Sequence, residues 1–351
     1  MLRVYNPIEN NPIFELHNFA KHLVCDIWCE SDENYCLPKI EAKYNIIVNA
    51  YDWLKESIVE IDLSCEGLTP LEKFKIKQAF FINNDIENLC NGKLPIYLNQ
   101  LPEVVENKMK PLFVKFYEEL LNRTKVSGDK LEFYIELYKA NRFTQCPCCG
   151  YMPFDTGQLD RREAYDHYLP KSKYPFASVN FKNLVPLCYK CNSDHKKADD
   201  PIENGRKVFY PYRNKNTEIE IQTNLVDGFT RSLYEIVVNN VDEENLDIVK
   251  IKEIEIALIS KEQEQVDAWD DLFTIKGRFS ERSGQFSFSL LKKMKRRYNE
   301  KKKENSKWKF EDTLDYYIGD YANDAYLDEK YLKIPFLKSV KNCDSILSIY
   351  S

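Results

Sequence analysis

The stretch that decides the fold opens at Cys146-Pro147-Cys148-Cys149-Gly150 and closes at Cys188-Tyr189-Lys190-Cys191-Asn192. Two Cys-x-x-Cys pairs, Cys146/Cys149 and Cys188/Cys191, offer four thiolates to one tetrahedral Zn²⁺. Each pair supplies two sulfurs from one tight turn, so only two chain segments have to meet. The 38 residues between the pairs exceed the roughly 15–20 of a compact zinc ribbon. So long an insert must carry structure of its own. Inside it lie Asp166-His167-Tyr168-Leu169-Pro170 and Asn183-Leu184-Val185-Pro186-Leu187. The zinc therefore reads as scaffold, with the chemistry held between its two grips. The competing reading, four unrelated buried cysteines, does not explain the paired spacing.

The order Cys-x-x-Cys, Asp-His-x-x-Pro, Asn-Leu-x-x-Leu-Cys-x-x-Cys-Asn resembles the HNH (ββα-metal) endonucleases. In that family two strands and a helix hold one divalent ion, and zinc-bearing members pin the ends of the unit with Cys-x-x-Cys knuckles. The resemblance covers about fifty of the 351 residues. It implies His167 as general base, Asp166 as one Mg²⁺ or Mn²⁺ ligand and Asn192 as the second. Asn183 takes the middle signature position, where its amide is expected to orient the loop and the His167 ring. Lys196 and His195 would lie a turn further on, near the phosphate, although the commonest pattern has lysine where His195 stands. Cys148 occupies a position that is often aromatic and stays outside the zinc set, as a possible substitute ligand.

Elementary chemistry meets these assignments independently. Phosphodiester cleavage needs an activated water, charge neutralisation at the phosphoryl oxygens and help for the leaving oxygen. His167 is the side chain here with a free pKa near neutrality, and Asp166 offers a hard anionic oxygen. If 163 to 168 is extended, neighbours 166 and 167 face opposite ways unless the strand ends there. Pro170 supports such an ending. Lys171, Lys173 and Tyr174 in the following loop are positioned to meet a sugar-phosphate backbone. The bland alternatives are surface polarity for Asp166-His167, turn or cap roles for Asn183 and Asn192, and a solvated helix position for His195.

A chain of 351 residues with 43% hydrophobic and 30% charged residues is globular, with room for two or three domains. No apolar run nears the ~20 residues of a membrane span, and the N-terminus lacks a signal-peptide pattern. Eleven cysteines, some in a zinc motif, suit a reducing cytoplasm better than a disulfide framework. The net charge of −6 does not advertise nucleic-acid binding, but its distribution does. From Arg161 to Arg213, 11 basic residues face 6 acidic ones, and from Lys292 to Lys309, 10 face 2. These islands suit phosphates, against the alternative of a solvated helix face.

Residues 1–140 read as a helical N-terminal domain, with helices over 41–59, 71–89, 103–122 and 129–140 and an apolar helical repeat from Ile13 to Val24. His22, Cys25 and Cys29 share a helical face near Cys36 and offer a second metal site, or simply small buried hydrophobes. Residues 141–213 form the nuclease unit, with strands near 162–168 and 184–187 and a helix from about Cys191. Residues 214–351 read as mixed β then helical. There 218–221, 233–238 and 248–251 alternate as strands of a small antiparallel sheet, followed by helix over 252–303. The fold class is α+β, predominantly helical, around a zinc-stapled ββα-metal unit with that small sheet after it.

The expected function is metal-dependent endonuclease cleavage of DNA, with catalytic Mg²⁺ (or Mn²⁺) and structural Zn²⁺. The Asp-His-Tyr-Leu-Pro-Lys-Ser and Asn-Leu-Val-Pro-Leu-Cys wording resembles nucleases of anti-phage defence operons, including Septu-type subunits. That resemblance implies an ATPase or other operon subunit as partner. Rival readings are an RNA-cutting effector on the same centre, a zinc module that only binds, and a structural subunit silent until a partner joins. No Walker-type phosphate loop is present in the chain.

Overall fold

The computed structural model describes residues 1–32, 34–159, 161–237 and 253–350. They form two compact units, 1–216 and 217–351, and the helical N-terminal region shares the first with the cysteine stretch. The fold is mostly helical with two two-stranded antiparallel sheets. No helix among the described residues is long and apolar enough to cross a membrane.

In the first unit the helices are α1 (Glu15–His22), α2 (Asn45–Ala50), α3 (Asp52–Glu66), α4 (Pro70–Asn83), α5 (Ile86–Cys90), α6 (Lys110–Glu118) and α7 (Lys130–Asn141). Their starts are chemically marked. Thr69 and Glu72 close a capping box at α4, with Pro70 in the first turn where its missing N–H costs nothing. Asp129 accepts from the N–H groups of Leu131 and Glu132 at 2.7 and 3.0 Å and begins α7. The core between these helices is aromatic: Phe19 stacks on Phe116 at 5.9 Å, and Trp28 meets Phe113 edge-on.

Strand β1 (Ala164–His167) pairs with β2 (Leu184–Leu187), His167 opposite Leu184 and Asp166 opposite Val185. Both strands fall where the sequence predicts them. The loop between them drives Phe176 into the helical core, 5.5 Å from Phe80 of α4 and 5.8 Å from Phe113 of α6. The chain start also belongs to this unit. Arg3 donates its N–H to the carbonyl of Pro147 at 2.9 Å, and the Tyr5 hydroxyl donates to that of Pro186 at 2.8 Å. Tyr5 bridges Tyr212, so the two ends of the unit meet beside β2.

The second unit contains β3 (Glu220–Leu225), α8 (Asp227–Val237), β4 (Ile254–Ile259), α9 (Gln263–Phe273), α10 (Ile275–Glu304), α11 (Phe310–Ala322), α12 (Lys330–Lys341) and α13 (Asp344–Tyr350). The strand expected at 233–238 is instead helical through Val237. Phe229, Leu233 and Ile236 recur at helical spacing and are buried, while Tyr234 is exposed, so a period of 3.6 wins over local β-propensity. β3 pairs with β4, Leu225 opposite Ile254. The helix expected over 252–303 therefore begins as a strand at Ile254. The strand expected at 248–251 lies outside the described residues.

Candidate metal centre

The first knuckle is a reversed turn. Cys146 donates its N–H to the Met152 carbonyl at 2.8 Å, and the Gly150 N–H returns to the Cys146 carbonyl at 2.7 Å. Gly150 sits at φ 80°, a left-handed conformation that a side chain would strain. The second knuckle runs from the end of β2 into a π-helical turn, Lys190–Lys196. Together they bring the sulfurs of Cys146, Cys149, Cys188 and Cys191 within 4.8 Å of one another, all buried. Cys146 and Cys191 are 4.0 Å apart sulfur to sulfur, near the ~3.8 Å implied by tetrahedral Zn–S bonds of about 2.3 Å.

Burial pushes the Cys146 thiol up, as do Cys149 and Cys188 beside it. Burial also opposes ionisation of Cys149, yet the thiols of Cys146, Cys188 and Cys191 hold it down. Four sulfurs competing for few protons in a dry site form a donor set that suits a soft divalent cation. Cys148 is also buried but falls outside that set. The other suggested cluster is not assembled among the described residues. His22 turns Nδ1 to Asp26 at 3.0 Å and Nε2 to the Glu41 N–H at 3.1 Å.

The Asp-His pair ends β1, and Asn183 precedes β2, the strand that leads to the second knuckle. Asn183 is fully buried and latches the loop after β1. Its Oδ1 accepts from the Leu169 N–H at 2.8 Å, and its Nδ2 donates to the carbonyls of Leu169 at 3.0 Å and Ala177 at 3.3 Å. The His167 ring is oriented by a different group. Its Nε2 lies 2.9 Å from the Ser178 carbonyl, and the Tyr117 ring meets it edge-on at 4.3 Å. A carbonyl only accepts, so the proton sits on Nε2 and Nδ1 keeps its lone pair. Burial drives the His167 pKa down to about 3, opposed by the Ser178 carbonyl and aided by Lys171 and Lys196.

Asp166 is buried, and burial raises its carboxyl against the pull of Lys196. The Lys196 ammonium stands 3.1 Å from Asp166 Oδ1 and 2.9 Å from the His167 carbonyl. It is also 3.1 Å from Asp166 Oδ2, although no aligned hydrogen bond reaches that oxygen. Sequence reasoning sends Lys196 to a phosphate, yet its side chain is 0% exposed. Asn192 and His195 are half-buried on the same π-helical turn, and Asn192 lies one turn before Lys196.

The loop residues are engaged with protein groups. Lys171 meets Glu118 at 2.7 Å, and Lys173 lies 3.4 Å from Glu203 and 3.5 Å from Asp200. Tyr174, expected to face a backbone, is buried and donates to Asp200 at 2.8 Å. The contacts from Tyr117 and from Pro147 to the chain start carry no sequence signal, since both join segments far apart in the chain.

These observations define a zinc-type four-cysteine group buried beside a two-stranded sheet. The chain is distantly related to proteins that include the following two. Over 128 residues, 36% of its length, it is 30% identical to protein ea31 of Escherichia phage lambda. Over 70 residues, 18% of its length, it is 34% identical to the Septu protein PtuB of Bacillus thuringiensis. It spans 40% and 24% of the lengths of these relatives. No protein-family model and no solved structure matches the chain.

Proposed function

We propose that this chain is a metal-dependent endonuclease of the HNH type that hydrolyses phosphodiester bonds in DNA. One observation carries the reading. Asp166 and His167 close a strand whose partner runs straight into the second knuckle, and the helical turn after that knuckle comes back to Asp166. The acid and the turn that carries Asn192 are thus joined through Lys196, one strand residue from the imidazole.

His167 acts as general base through Nδ1. The Ser178 carbonyl fixes its tautomer and leaves the Nδ1 lone pair to take a proton from water, while burial opposes the protonated form. A phosphodiester arriving beside it brings negative charge that favours the protonated ring. Asn183 holds the loop that carries Ser178, and so positions the imidazole indirectly. Asp166 and Asn192 would hold a divalent cation, and the Asp166 oxygen without an aligned hydrogen bond fits that use. Such an ion supplies charge neutralisation at the phosphoryl oxygens and the leaving oxygen. The distant relation to a Septu protein supports a role in a defence operon, with a second subunit such as an ATPase as partner.

Plasmid cleavage tests this. Wild type is expected to cut with Mg²⁺ or Mn²⁺ and to stop with EDTA, while His167→Ala and Asn192→Ala lose at least a hundredfold in rate. All three proteins should retain one zinc per chain. A structured RNA assayed in parallel separates the RNA-cutting alternative. Cleavage surviving in His167→Ala, or zinc lost with that substitution, refutes the assignment.

A further inference from the structure

Lys196 is the unexpected member of the centre. Its ammonium is sealed from solvent and contacts both Asp166 oxygens and the His167 carbonyl. A buried ammonium persists only where anionic or dipolar partners replace its water, and Asp166 supplies the charge. Mg²⁺ would need the same oxygens at about 2.1 Å. With a nitrogen 3.1 Å from each oxygen, two cations have one carboxylate between them.

We infer that Lys196 is a resident stand-in for the divalent cation, neutralising Asp166 and giving way when a metal ion binds. The inference rests on the nuclease reading in one respect: Asp166 is taken as the metal's carboxylate.

A second observation concerns the backbone that carries this lysine. The residue after it, Lys197, sits at φ 53° and ψ −128°, a conformation costly for any side chain-bearing residue. Its N–H reaches back five residues to the Asn192 carbonyl at 2.8 Å. Wide turns of this kind recur where a helix is bent to a task. The strained turn that seats Lys196 on Asp166 is therefore the same turn that carries Asn192, the other candidate ligand. Engaging Asn192 and releasing Lys196 are linked through one backbone segment.

Two consequences follow. Metal affinity is reduced by the fraction of chains in which Lys196 occupies the carboxylate. The displaced ammonium then needs a new anion, and a phosphodiester at the metal is the anion nearest to hand. Metal and phosphodiester should each tighten binding of the other.

The test is amine labelling of the full-length chain with a water-soluble acetylating reagent, read by peptide mass spectrometry. Without added divalent cation Lys196 should be protected. With saturating Mg²⁺ its acetylation should accelerate at least tenfold, while Lys171 and Lys173 react similarly in both states. In parallel, Mn²⁺ binding is followed by electron paramagnetic resonance. Asp166→Asn should abolish it, and Lys196→Met should tighten it at least tenfold. If Mn²⁺ binding needs Asp166 but Lys196 stays protected under Mg²⁺, the stand-in role is overturned and the nuclease reading stands. If no Mn²⁺ binding depends on Asp166, both fall. The labelling arm uses the unmodified chain, so instability of a variant cannot obscure the result.

Discussion

Replacing Asn183 with alanine removes three buried hydrogen bonds at one stroke, one accepted from Leu169 and two donated to the carbonyls of Leu169 and Ala177. Net, each bond contributes about 1 kcal/mol, and a buried N–H left without a partner costs about 1–3 kcal/mol. The side chain is fully buried, so water does not substitute without local opening. The sum is a loss of about 3–5 kcal/mol, concentrated in the loop between β1 and β2. For a unit of this size that lowers the unfolding midpoint by roughly 6–20 °C.

Two amides separate this cause from a general weakening. The Tyr168 N–H bonds the main-chain carbonyl of Asn183 at 2.9 Å, which the substitution leaves intact, whereas the Leu169 N–H bonds its side chain. Hydrogen exchange should therefore quicken far more at Leu169 than at Tyr168. Asn183→Asp should be worse than alanine at neutral pH, because a carboxylate would face the carbonyls of Leu169 and Ala177 with nothing to donate. Acidification should narrow that difference. A stability loss below about 1 kcal/mol, or equal exchange at the two amides, refutes the latch.

Two further outcomes follow from groups outside the loop. His17 stacks on Phe80 at 5.5 Å, and burial, with Lys21 and Lys182 nearby, holds its pKa at about 4. Its folded value lies below its unfolded one, so the unfolded chain takes up the proton first. Stability is complete above about pH 6.5 and drains away as pH falls towards 4, with about 2 kcal/mol gone at pH 5. In His17→Phe the urea midpoint should lose that part of its pH dependence, and an unchanged slope would count against a neutral buried ring. On α10, Lys292, Arg296, Asn299 and Lys303 share one exposed face, while Glu300 and Glu304 are paired with Arg297 and Lys301 on the next. If this face meets DNA phosphates, Arg296→Gln with Lys303→Gln should lower the salt slope of binding by about 2. No change in slope would mark it as merely solvated.

The elements legible in the sequence were those whose signal is local. Each knuckle is a four-residue pattern, and Leu184–Leu187 is a short apolar run between an asparagine and a cysteine. The α4 start was visible as a Thr-Pro break, and α7 as an aspartate before a helical repeat. What escaped depends on partners distant in the chain. β3 pairs with a strand that begins 34 positions after its own start, and nothing near Ile254 distinguishes a strand from the opening of the next helix. Lys196 reads as an exposed cation until Asp166, thirty residues earlier, is placed beneath it. Tyr174 reads as a loop aromatic until Asp200 receives its hydroxyl. A polar tip on a long side chain is exposed by default, and only the tertiary structure overrides that default.

The helical segments before the first knuckle are part of the candidate site's construction. Tyr117 of α6 lies edge-on to the His167 ring and donates its hydroxyl to the Tyr165 carbonyl at 3.4 Å. Tyr165 in turn donates to the Lys130 carbonyl at 2.9 Å, where α7 begins. Phe176, two residues before Ser178, is fixed by Phe80 and Phe113. The imidazole's hydrogen-bond partner thus owes its position to helices α4 and α6 as much as to the zinc-type clasp. Without Tyr117 and the helices behind it, water would reach His167 and return its pKa towards the free value. The N-terminal helices therefore set the place of the proposed base and hold down its affinity for a proton.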